Sequence, residues 1–136
     1  MERTQGWEQR LNAMMMAAIN TPHEWGVHDC VTFAADAVEA MTGVDPIADL
    51  RGEWAGPLSA RRLLTDEGVD TIGDMAAKRL PEIPVSMARR GDIVFCDSDE
   101  GGFLGVMQGR SIVGPAGIGL VHVPVNQALR AFRVGV

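Results

Sequence analysis

The run Trp25-Gly26-Val27-His28-Asp29-Cys30-Val31-Thr32-Phe33-Ala34 passes from loop to helix at its centre. Asp29 stands where an N-cap belongs, because a short carboxylate there accepts the unpaired N–H groups of a first helical turn. From Cys30 onward, Cys30, Phe33, Ala34, Ala37, Val38 and Met41 share one stripe, which predicts a helix over 30–41 with Gly43 as its stop. Cys30 therefore opens a helix. There the backbone N–H groups and the helix dipole favour thiolate over thiol, and the thiolate is the nucleophile. The plainer reading of the same residue is a small buried apolar side chain.

Upstream, apolar residues at 7, 11, 14, 15, 18 and 19 predict a helix from Trp7 to Ile19, ended by Asn20-Thr21-Pro22. The Met14–Ile19 run follows Glu2 and Glu8, lacks a cleavage site of small residues, and falls far short of the ~20 apolar residues of a membrane span. We expect it to be a buried helical face, with no export signal and no membrane span. Downstream, Asp45–Pro57 reads as a loop. Ser59–Glu67 and Thr71–Leu80 read as short helices that turn Leu63, Leu64, Ile72 and Met75 to a core, and Pro81 and Pro84 close the helical half.

Beyond them the period changes. Asp92–Cys96, Leu104–Gln108, Ser111–Gly114, Gly119–Val125 and Leu129–Val134 are short, rich in β-branched residues and bounded by turns. Helices first and strands after predict an α+β fold. We expect one domain over 1–136, with a helical half at about 5–80 and a sheet half at about 91–136; 136 residues suffice for one core.

Composition narrows the function. Eighteen acidic residues against 12 Lys and Arg, a net charge of −6 and no Tyr argue against nucleic acid as a partner, which needs clustered cations and stacking surfaces. Two cysteines make neither a zinc site nor a disulfide framework, although a single Cys30–Cys96 bridge stays open as an alternative to two free thiols. No cofactor motif is present: Gly101-Gly102 and Gly105 precede no helix, as a phosphate loop would. Asp97-Ser98-Asp99-Glu100 reads as a solvated turn without calcium-loop spacing, so no metal is expected. Cys96 reads as packing on a strand, and Trp25 either lines a groove or covers the core edge.

The Trp25–Ala34 segment resembles the Asp-Cys helix start of NlpC-type cell-wall cysteine peptidases. Arg90-Gly91-Asp92-Ile93-Val94-Phe95 resembles their first core strand, and Leu104-Gly105-Val106-Met107-Gln108-Gly109 their second. The set resembles more closely a group of small proteins encoded among phage tail genes. Those share the Trp-Gly-x-His-Asp-Cys segment, the Gly-Asp strand and an aromatic-Arg-Val ending, here Phe132-Arg133-Val134. The resemblance implies a papain-like fold, with N-terminal helices on a C-terminal antiparallel five-stranded meander or half-barrel, and Cys30 in the nucleophile's place. It also shows a departure. The peptidases open their second strand with a His that acts as base, and here Phe103 or Leu104 stands in that place. Their third polar residue falls near Val113–Pro115, where nothing orients an imidazole.

Two functions follow from the resemblance. One is a phage tail-tip or tail-assembly protein with degenerate catalytic machinery, partnered by tail-hub or tail-tip proteins. It would be cytoplasmic in the host before assembly and then part of the virion tail. The other is a peptidase or amidase that cleaves peptidoglycan stem peptides, with Cys30 as nucleophile and His122 recruited as base. Trp25 and His28 are the candidate substrate-binding residues. His28 is also placed to buttress the helix start, and His122 has an alternative as an exposed strand histidine.

Overall fold

The computed structural model describes residues 1–99 and 101–135. Four helices come first in the chain: α1 (Trp7–Ala18), α2 (Cys30–Thr42), α3 (Pro57–Asp66) and α4 (Ile72–Arg79). Three of them begin or end where local chemistry dictates. The Asp29 carboxylate accepts the Thr32 N–H at 2.9 Å while the Thr32 hydroxyl accepts the Asp29 N–H at 2.8 Å, a reciprocal cap that starts α2. Gly43 ends α2 in the left-handed region, at φ 78°. Pro57 sits at the start of α3, where a missing N–H costs nothing, and Thr71 caps α4.

Six strands follow: β1 (Glu82–Ile83), β2 (Ile93–Cys96), β3 (Phe103–Met107), β4 (Ser111–Pro115), β5 (Leu120–Pro124) and β6 (Ala128–Phe132). All neighbours pair antiparallel, in the order β1-β6-β2-β3-β4-β5. The α+β reading holds, and the five predicted strands all form. The five-stranded meander needs correcting on two points. A sixth strand, β1, lies between Pro81 and Pro84 and is two residues long, too short to leave a period in the sequence. The last strand also does not continue beside β5. Pro124 ends β5 without an N–H to donate, a turn at Val125–Gln127 redirects the chain, and β6 crosses back to pair with β2, Ile93 against Phe132.

The sheet is buried on both faces at its centre. One face carries Ile93, Leu104, Val106, Val113 and Phe132 against Phe33, Ala37, Val38 and Met41 of α2. The other carries Val94, Cys96, Met107, Ile112 and Ala131. A third cluster, Ala35, Ile47, Leu50, Trp54 and Met75, fills the space between α2, α4 and the intervening loop.

A buried carboxylate ties the early and late parts of the chain together. Asp92 accepts hydrogen bonds from Arg3 Nη2 (2.9 Å), Val134 N (3.0 Å) and Arg89 N (3.0 Å), and Arg133 Nε lies 3.3 Å away. Arg3 also donates to the carbonyls of Val134 and Arg90 and lies 4.4 Å above the Trp7 ring. Among the described residues, no helix is long and apolar enough to cross a membrane.

Candidate functional site

Cys30 is held in place by the residues just before it. Asp29 turns one carboxylate oxygen to the helix start and the other to Gly26 N (2.8 Å) and Trp54 Nε1 (2.7 Å), so neutral donors satisfy it. Gly26 is at φ 79°, and a Cβ there would overlap the Trp54 carbonyl oxygen, so only glycine fits. The loop before the helix is thus locked against Trp54. An indole N–H aimed at a carboxylate 25 positions earlier leaves no pattern in the sequence.

This knot sets Cys30 on the floor of a groove of about 870 Å³. Trp25 and His23 stand at its rim with their rings edge to face, 5.3 Å apart. Leu63, Leu64, Ile72, Phe103, Val121 and Val123 contribute apolar walls, and Asp70 and Asp99 reach its edge. Trp25 therefore lines the groove, as one of the two sequence readings held. In the predicted turn 97–100, Ser98 and Asp99 also border the groove, and Glu100 lies outside the described residues.

The electrostatics of Cys30 run against the expectation of a helix-start thiolate. Burial pushes its pKa up to about 11, and the nearby Asp29 charge adds to the rise. A hydrogen bond with the Leu104 backbone and the helix's own N–H work in the other direction and do not prevail. The helix start is present, but desolvation outweighs it.

Leu104 sits against this thiol, on the same sheet face as the core, and is fully buried. Phe103, one residue earlier, packs on the opposite face. What β3 offers the Cys30 thiol is the Leu104 backbone, with no titratable side chain at that position. Val113 is likewise buried in the core and Pro115 lines the groove, so neither offers a polar partner.

The predicted histidines lie elsewhere. Val106, Val113 and His122 form one row across β3, β4 and β5, which places His122 two strand spacings, roughly 10 Å, from β3. Cys30 lies at Leu104, a further two residues along β3. His122 is exposed, and its Nδ1 is 3.2 Å from the Ser111 hydroxyl. The structure does not bring His122 to Cys30, because the base reading needed β5 to start at the mouth of the site and His122 is past that start. His28 also departs from its substrate-binding reading. Its ring is buried edge-on to Phe33 and lines a different groove, between α1 and α2, with Arg10 and Glu39. It buttresses the helix start. Cys96 is a free thiol inside the second core face, raised to about 11 by burial, and Cys30 is also free, so no bridge joins them. Among the described residues no three His, Cys, Asp or Glu side chains converge as a metal site requires.

Residues 2–134 match the model of a family described as "Domain of unknown function (DUF6950)". No curated protein matches the chain.

Proposed function

The chain belongs to the DUF6950 family, and from that premise we propose that it is a phage tail-tip or tail-assembly protein whose papain-like scaffold binds without cleaving. One observation carries the reading: Leu104, and no base, stands against a Cys30 thiol whose pKa is pushed up to about 11. Burial holds such a thiol in its protonated form at neutral pH, and acyl transfer needs both a thiolate and a proton donor for the leaving amine. Neither is supplied by His122 or His28.

The tail assignment draws its support from the residues that carry the resemblance. Gly91-Asp92 and Phe132-Arg133-Val134 meet at the buried Asp92 carboxylate, and Trp25-Gly26-Val27-His28-Asp29-Cys30 forms the Asp29 knot. These pieces maintain the scaffold, which a binding protein needs as much as an enzyme does.

The test has two arms. Purified protein incubated with peptidoglycan stem peptides should leave them intact, and a phage that carries Cys30→Ser should yield infectious particles at the normal level. Stem-peptide hydrolysis that disappears in Cys30→Ser would sink the non-catalytic reading. For the tail role, mass spectrometry of purified virions should find the protein, or deletion of its gene should stop tail assembly. Complete tails without it, from a deletion that assembles normally, would end the assignment.

A further inference from the structure

We propose that the groove over Cys30 receives an extended, apolar peptide segment of a partner protein that carries one Lys or Arg side chain. The inference rests on the reading of this groove as a binding surface and names its occupant.

Three features converge. The walls are apolar, so the contact is driven by burial of side chains such as Leu, Val or Ile. One wall is β5, the outermost strand of the sheet, paired on one side only, with Val121 and Val123 in the groove. An extended segment beside it meets both apolar side chains and an open strand edge, the combination that favours strand-like recognition. The charge at the groove is one-sided. Asp70 and Asp99 border it, and no Lys or Arg is among the described residues that line it.

The chain segments that carry the two carboxylates meet at one end of the groove. A Cβ added at Gly73 on α4 would meet the Phe95 ring at 2.9 Å, and one added at Gly102 would overlap the same ring, so the start of α4 and Gly102 flank Phe95 together. Asp70 and Asp99 are exposed, and no ion pair engages either among the described residues. A cationic side chain at that end neutralises two otherwise unopposed charges, while an acidic one adds a third. At the aromatic end, by Trp25 and His23, the Asp29 carboxylate that also lines the groove is already engaged by Gly26 N, Thr32 N and Trp54 Nε1.

Two fluorescein-labelled, end-blocked octapeptides of alternating Val and Thr test this with the full chain: one carries a central Lys, the other Glu in its place. Anisotropy titrations at low salt should show the Lys probe binding about fivefold tighter, with the gap narrowing at high salt, as expected for exposed charges. The double variant Asp70→Asn/Asp99→Asn should abolish the preference and keep the wild-type melting temperature. Equal affinity for the two probes, a preference that survives the double variant, or no binding of either probe by folded, uncleaving protein each overturns the proposal. Binding of the Lys probe followed by its Cys30-dependent cleavage would keep the occupant and overturn the non-catalytic reading instead.

Discussion

Asp29 and Asp92 are both buried carboxylates, both fully engaged, and both belong to the segments that resemble a peptidase, yet they hold the molecule in different ways. Asp29 is satisfied by neutral donors, two backbone N–H groups, the Thr32 hydroxyl and an indole, and faces an open groove. Asp92 is flanked by two guanidinium groups and two backbone N–H groups, and it closes the far end of the fold by joining Arg3 to Val134. The first is a local knot that shapes a surface. The second is a long-range clasp. Both carboxylates hold the scaffold, and at the Cys30 thiol β3 presents the Leu104 backbone and no titratable side chain.

If the clasp is the stronger of the two, Asp92→Ala is the most damaging substitution. It leaves Arg3, itself nearly buried, and Arg133 without their counter-charge, and strands two backbone donors, a loss on the order of 3–5 kcal/mol. Urea unfolding should show this as a large fall in midpoint at constant slope. Asp29→Ala removes a helix cap and the Trp54 partner and should cost less, about 2 kcal/mol. Trp54→Phe deletes only the indole N–H and should lose about 1 kcal/mol in wild type but little in the Asp29→Ala background. An inverted order, with Asp29 the costlier, would mean that the knot organises the fold and the clasp merely decorates it.

Much of this architecture was legible in the sequence, for identifiable reasons. The α2 boundaries followed from Asp29 and Gly43, whose roles are local, and the strands from their β-branched runs between turns. What escaped notice is long-range. The return of β6 to β2 and the aim of the Trp54 indole at Asp29 depend on distant residues meeting in space. The site shows the same split. Cys30 at a helix start and the absent strand histidine could be read directly. The desolvation that decides the thiol's charge could not, because it comes from everything packed around Cys30.

That desolvation gives the two thiols a shared signature from opposite faces of the sheet. Both Cys30 and Cys96 are raised from an ordinary 9.0 to about 11. The folded chain therefore holds these protons more tightly than the unfolded chain does. The associated stability is intact below about pH 9 and is lost as pH climbs toward 11, on the order of 2 kcal/mol per thiol. Urea midpoints between pH 8 and 11 should fall in wild type, and Cys30→Ala/Cys96→Ala should flatten the fall. Alkylation of Cys30 in Cys96→Ala should be slow at pH 7 and accelerate through the same range. Rapid alkylation at pH 7 would show that the groove end, unlike the clasp end, is built for reactivity.

The smallest expected effect is the most discriminating between the two ends. His122 is exposed on the edge strand, touches the Ser111 hydroxyl, and stands two strand spacings from β3. His122→Ala should move stability by no more than about 0.5 kcal/mol, as surface substitutions usually do. It should also leave the pH profile of Cys30 alkylation where it was, because a base acts on a thiol only within hydrogen-bond reach. A profile that shifts upward when His122 is removed would require β5 to close on the groove in solution. The knot around Asp29 would then be holding a nucleophile in readiness, and the contrast with the clasp at Asp92 would become one between a working site and its frame.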